Sequence, residues 1–443
     1  MILNAIAIIS IFQVHVGGIT ETKLFKNQKG KVTPGSITIS PDLTHFAYST
    51  MDHKLTIDGR SFGPFLSNGT VLFSRNSDDY AFLASQKLRS PSSLFFNGVE
   101  RPLEFPIESL FLAGETGGIC WVERDKALSR LVYPGGVTEW FEKIEKISFS
   151  EDGSLFYLKI SEKLKVPEGT NINADTPTSS DYIVRKDGSK QLRDTTVHLF
   201  PAPNSQGYAV LSNDNSVSFR GKIVKYKGEF YGKPLFSPDG KQLAFRNSFT
   251  GTTATGKNIP FYQYNINGYS IPDLQVQTGL TFAQDGKKWV MCGLNGKELF
   301  LYVSSQGMMS FEEFPLLAGA PKETYKEARF ANGKIVLLFQ PKRARPVLFV
   351  EEKGIVELGE LTSAPETMTI SPDGRTLLVG CSDQKELRAY AVNLENPGPA
   401  VEIMKKGYDL QNLGKGTFVW KSDRDVQFLI LRNSEIVRVS AKL

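Results

Sequence analysis

The chain has 443 residues, 40% hydrophobic and 22% charged, with a formal net charge of +5. That composition suits a globular protein of one large domain or two to three smaller ones, and the small charge gives no strong case for nucleic acid or an anionic membrane as partner. Three cysteines (Cys120, Cys292, Cys381) form no disulfide framework and no CxxC pair, and four histidines (His15, His45, His53, His198) show no metal-ligand spacing, so neither cofactor nor metal is expected.

The N-terminus reads MILNAIAIISIFQVHVGG. Its apolar core, Ile2 to Ile11, has the length of a signal-peptide h-region and is too short to span a bilayer. No Lys or Arg precedes it and no A-x-A site follows, so a hydrophobic first strand is the rival reading. Residues 1–18 are read as signal peptide or first strand, and residues 19–443 as the repeat domain. The signal reading places the protein in the periplasm or outside the cell; the strand reading leaves it in the cytoplasm. No other segment reaches transmembrane length, and the chain is expected to be a monomer.

From residue 37 onward one pattern recurs. It reads ITISPDLTHFAYST at 37, VLFSRNSDDYAFLA at 71, ISFSEDGSLFYLKI at 147, PLFSPDGKQLAFRN at 234, LTFAQDGKKWVMCG at 280 and MTISPDGRTLLVGC at 368. Weaker copies are LFLAGETGGICWVE at 110, HLFPAPNSQGYAVL at 198, ARFANGKIVLLFQP at 328 and TFVWKSDRDVQFLI at 417. Ten copies at a mean step of about 42 residues match the period of a four-stranded propeller blade. The second half of the unit recurs as well: LTIDGRSFGPF at 55, LFFNGVERPLEF at 94, LVYPGGVTEWF at 131, YNINGYSIPDL at 264 and LFVEEKGIVEL at 348. Each unit is therefore strand a, SPDG turn, strand b, loop, strand c, (N/D)G turn, strand d.

Asp-Gly and Asn-Gly accept the positive φ that tight turns need, and Pro41, Pro238 and Pro372 preset φ at the turn's entry. Strand b is apolar throughout (LAF, LFYL, WVM, LLV), which marks a strand covered on both faces. One four-stranded sheet cannot cover itself; ten stacked around an axis can. The fold expected is all-β: a β-propeller of up to ten four-stranded antiparallel blades, one large propeller or two smaller ones in tandem. The final EIVRVSAKL reads as a strand c and the N-terminal IFQVHVGGITETKLF as a c–d hairpin. Together the ends would complete one shared blade and remove its exposed edges.

The repeated hhFSPDGxxhAF pattern resembles the bacterial WD40-like (PD40) propeller repeats, as in the propeller domain of the TolB family. The strand with DG or NG followed by R, E or P (DGRSFGP, NGVERP) is similar to a bacterial subgroup of these repeats. The resemblance covers roughly residues 25 to 443 and implies a propeller serving as an interaction platform. It does not carry over the G-H and W-D dipeptides of eukaryotic WD40 repeats, which are absent here.

In such a blade the a–b and c–d turns share one end and the b–c and d–a loops the other. The long connections all fall in the second class: 161–181 and 247–260 as b–c loops, 317–327 and 404–416 as d–a loops. Long loops on a rigid scaffold are where function concentrates. Candidate binding residues there are Lys342, Arg343 and Arg345 in QPKRARP, Lys87 and Arg89 in 85–92, Lys257 in GTTATGKN, and Asp52 with His53 in STMDHK. The loop ERDK at 123–126 reads as self-neutralising.

Catalytic motifs fail one by one. GTTATGKN lacks the Ser or Thr of a Walker A loop at Asn258, and a strand rather than a helix follows. No G-x-S-x-G elbow exists. Asp42, Asp152, Asp239, Asp285 and Asp373 read as turn residues, not as a ring of catalytic acids. Asn68 fits a glycosylation site only in a eukaryotic secreted protein. The function expected is a non-catalytic scaffold binding a protein or peptide, with a glycan as a further partner class. A propeller hydrolase or lyase using Asp52 and His53 at the loop-end mouth is the alternative.

Overall fold

The computed structural model describes residues 17–26, 33, 36–74, 78–86, 93–101, 103–114, 118–163, 179–192, 198–252, 255–271, 276–295, 298–304, 307–310, 325–340, 345–358, 365–383, 386–396, 400–403, 418–432 and 435–443. Every regular element among them is a β-strand. The fold is a β-propeller of ten blades, nine of them four-stranded antiparallel sheets. In blade 2, strand a is broken into Ser67–Asn68 and Leu72–Phe73, both paired with strand b, Tyr80–Ser85. Each of the ten sequence copies supplies strands a and b of one blade.

The chain forms two compact units. Residues 27–273 carry blades 1 to 6, which span 38–62, 67–101, 107–137, 143–192, 198–225 and 229–270. The other unit joins residues 1–26 to 274–443 and carries blades 7 to 10, which span 276–310, 325–357, 365–402 and 419–442.

Within each unit the cores lie between consecutive blades. Strand b of blade 8, Lys334–Phe339, shows why. Ile335, Leu337 and Phe339 pack with Val290, Cys292 and Leu301 of blade 7, whereas Val336 and Leu338 pack with Leu377, Val379 and Cys381 of blade 9. Alternate side chains of a strand point to opposite faces, so a strand covered on both sides reads as an unbroken apolar run. Each such side chain contributes about 1.5–3 kcal/mol of burial. In the other unit Leu55 and Ile57 of blade 1 meet Phe82 and Phe95 of blade 2, and Val217 and Phe219 of blade 5 meet Leu243 and Phe245 of blade 6. The three cysteines are buried in these interfaces, and burial pushes the Cys120 thiol up to about 12. They act as small hydrophobes.

Blade 10 takes its fourth strand from the other end of the chain. Gly18–Lys26 pairs antiparallel with Glu435–Lys442, from Gly18↔Lys442 to Lys26↔Glu435, and covers the edge of that sheet. The described N-terminal segment is strand d alone; the first half of the expected hairpin lies outside the described residues.

The two turn classes use glycine differently. In the two-residue c–d turns of blades 1, 2, 5 and 6 both central residues have positive φ, as at Asn267 (52°) and Gly268 (90°), the geometry that such a hairpin turn needs. In SPDG only the glycine does, as at Gly240 (68°). Here the aspartate serves as a side-chain clasp instead. Ser237 Oγ donates to Asp239 Oδ1 (2.5 Å), the Lys241 N–H donates to the same oxygen (3.1 Å), and the Gln242 N–H donates to Ser237 Oγ (2.9 Å). Ser40–Asp42, Ser150–Asp152 and Ser371–Asp373 repeat the Ser–Asp bond at 2.6–2.7 Å. Neighbouring turns are also tied together. The Asn204 N–H donates to Asp152 and Asn204 Nδ2 to the Pro238 carbonyl (2.8 Å), linking blades 4, 5 and 6.

A methyl group at Gly240 would lie 2.2 Å from the Pro203 carbonyl oxygen of the preceding blade, on a left-handed backbone. At Gly59 the backbone is left-handed too (φ +83°) but the space is open. Gly59→Ala should cost about 1 kcal/mol from φ alone, and Gly240→Ala at least about 2 kcal/mol. Denaturant midpoints of the two variants check this; equal losses would mean that the turns do not press on each other.

Candidate functional site

Blade ends divide into a tight-turn end and a loop end. Of the candidate binding residues, Lys342, Arg343, Lys87 and Arg89 lie outside the described residues, as do 164–178, 317–324 and the whole of 404–416. Arg345 and Lys257 are exposed at loop ends of blades 8 and 6.

Asp52 and His53 sit in the tight turn between strands b and c of blade 1. Hydrogen bonds from the Thr50 hydroxyl and from Lys54, whose Nζ lies 2.9 Å from Oδ2, hold the Asp52 carboxyl down at about 2. His53 has a left-handed backbone (φ 61°); its N–H donates to the Thr50 carbonyl (3.0 Å) and its carbonyl accepts from the Phe65 N–H (2.8 Å). Both residues build the turn, and Asp52 already has its cation.

The segment 247–260, expected as a loop, is largely strand. Strands Leu243–Thr252 and Asn258–Ile266 run through it and stay paired as far as Thr252↔Asn258. Thr252 Oγ1 donates to Asn258 Oδ1 (2.8 Å) across the arm, and a strand follows where a phosphate loop would need a helix. The β-branched Thr and Ile residues, with Phe249 stacked on Phe261 at 6.0 Å, explain why this Gly-rich stretch stays extended.

Below the arm, three residues from three strands of blade 6 converge. Arg246 Cζ lies 4.0 Å from the ring centre of Tyr231 and 5.7 Å from that of Tyr262. The two tyrosine rings meet edge-on at 5.9 Å. Tyr231 is 47% exposed. Among the described residues no carboxylate pairs with Arg246. No linear motif marks this cluster; cross-strand register alone assembles it, with Arg246 opposite both Tyr231 and Tyr264.

The ERDK stretch departs from expectation. Glu123 is buried (7% exposed) and turns inward. Arg130 Nε and Nη2 bond its Oε2 at 2.8 and 2.7 Å, and Trp121 Nε1 donates to its Oε1 (3.1 Å). Arg130 itself lies over Trp140 (4.5 Å) and Phe105 (5.1 Å). A buried charge needs a partner of this quality, which the short-range sequence reading overlooked.

At the tight-turn end of blades 1 and 2, His45 bridges two blades: Nδ1 lies 2.7 Å from Asp58 Oδ2 and Nε2 3.4 Å from Asp78 Oδ1. Burial lowers the imidazole's pKa, but hydrogen bonds to Asp58 and Asp78 and the charges of Asp58 and Asp42 outweigh it and raise the pKa above 6.5. Among the described residues no cluster of three or more His, Cys, Asp or Glu could hold a metal ion.

No family model matches the chain, and no curated protein matches it. Among solved structures it is similar to the Dos1 propeller (10% identity, 95% of both chains, TM-score 0.36). It is also similar to TolB from Acinetobacter baumannii (10% identity, 59% of this chain and 76% of that one, TM-score 0.26). A third is the tricorn protease (12% identity, 84% of this chain, TM-score 0.30), of which the chain spans 43%. None of these likenesses carries a functional argument.

A pKa raised in the folded state stabilises fully below the unfolded value and less as pH rises through the folded value. His45→Gln should therefore destabilise the protein by about 1 kcal/mol at pH 6, since Asp78 is solvent-exposed, and by progressively less toward pH 9. Unfolding curves across that range check it; a pH-independent difference would mean that the imidazolium does not tie the blades.

Proposed function

We propose that this chain is a non-catalytic scaffold of WD40-like, PD40-type repeats that binds a protein or peptide partner at its loop ends. The observation that carries this reading is the blade 6 arm with the Tyr231–Arg246–Tyr262 cluster at its base. Tyr and Arg dominate the energetic centres of protein interfaces, because both offer large contact area with hydrogen-bonding ends. Arg246 is pre-positioned by its stacking, so less side-chain entropy is lost on binding. The clasped turns at the opposite end of each blade hold this surface on a rigid base.

In this reading residues 1–18 are a removable leader or a first strand, and residues 19–443 are the propeller. The closing strand runs Gly18–Lys26, so removal of residues 1–18 would take only its first residue. Mass spectrometry of the mature chain from its native host decides: a start near Ile19 assigns the leader, and an intact Met1 assigns the strand.

The binding role is tested with the full chain as bait and chemical cross-linking. Tyr231→Ala with Arg246→Ala should weaken the principal partner at least tenfold, at an unchanged melting temperature. A partner retained equally by this double variant would overturn the assignment of the arm.

A further inference from the structure

Where the c–d hairpin of blade 5 parts from strand b of blade 6, a cavity of about 310 Å³ opens at the tight-turn end. Its floor is the interface core itself: Val217, Phe219 and Val224 on one side, Leu243 and Phe245 on the other. Its rim carries three cations, Arg220, Lys222 and Lys241. Arg220 sits at the hairpin tip on a left-handed backbone (φ 50°) and gives one hydrogen bond, from Nη1 to Gln206 Oε1 (2.8 Å). Lys222 has no carboxylate partner among the described residues. Lys241 lies 3.8 Å from Asp239, whose other oxygen is held by Ser237 in the turn clasp. Asn267, also on the rim, is spent on the Leu243 N–H and Gln242.

The cavity thus joins an apolar floor to a surplus of positive charge. A larger hollow of about 430 Å³ between strands a of blades 3 and 4 differs in this respect. Its Glu145 is already paired with Lys159 and Lys143.

We propose that the blade 5–6 cavity binds a small free organic carboxylate with an aromatic or branched apolar body. The body would fill the notch left in the blade interface, and the carboxylate would meet Arg220, Lys222 and Lys241. An uncharged hydrocarbon would leave the cations unused, and an inorganic anion would leave the floor uncovered. Charge-assisted bonds at a partly enclosed rim are stronger than those made in open water. This site lies at the other end of the blade from the arm and does not depend on it.

The test is isothermal titration of the full chain with naphthalene-2-acetate, its neutral carboxamide, inorganic phosphate, and a short peptide ending in a free Phe carboxylate. The acid should bind, and the carboxamide at least tenfold more weakly. Lys222→Gln with Lys241→Gln should weaken the acid at least tenfold while leaving the carboxamide unchanged. Both lysines are exposed, so the variant should fold; circular dichroism and an unchanged melting temperature confirm that. Val224→Phe, which fills the floor, should abolish binding of the acid. No binding of the acid at millimolar concentration, equal binding of acid and carboxamide, full displacement of the acid by phosphate, or tighter binding of the peptide than of the acid would each overturn the proposal.

Discussion

A four-stranded blade has two oily faces and cannot hide either by itself. Everything else in the structure follows from that constraint. Strand b of blade 8 sends Leu337 to one neighbour and Leu338 to the other, and both are fully buried. A blade is therefore stable only between others, and each unit's cohesion resides in nearest-neighbour interfaces rather than in a central core. Blade 10 meets the matching edge problem by pairing Glu435–Lys442 with Gly18–Lys26.

The same constraint separates the two blade ends. At the tight-turn end, successive turns must follow one another closely, and Gly240 leaves no room for a side chain beside Pro203. Aspartates there are consumed by Ser–Asp clasps and by bonds to the next blade, as Asp152 is. Among the described residues a cavity opens where that regularity lapses, as where the blade 5 hairpin diverges from blade 6. The loop end has no such spacing rule. It can carry the extended arm of blade 6 without disturbing the interfaces below.

Legibility followed the range of the interaction. The SPDG and NG turns, the apolar b strands and the count of ten blades are local patterns, and they could be read directly from the chain. The absence of a disulfide framework was equally legible, and Cys120, Cys292 and Cys381 are free and buried. The 247–260 segment was misread because Gly and Thr suggest a loop, whereas pairing of Thr252 with Asn258 makes it an arm. Glu123 looked neutralised by its sequence neighbours, but its partner is Arg130 on the adjacent strand.

The sequence by itself determined the repeat unit, its turns, and the two-sided burial that forces blades to stack, because these depend on residues within a few positions of one another. Only the tertiary structure decided which charges meet. Arg246 reaches Tyr231 and Tyr262 through strand register, and Arg220, Lys222 and Lys241 share a rim because two blades bring separate turns together. Such convergence depends on register and on the spacing between sheets, neither of which leaves a fixed interval in the chain.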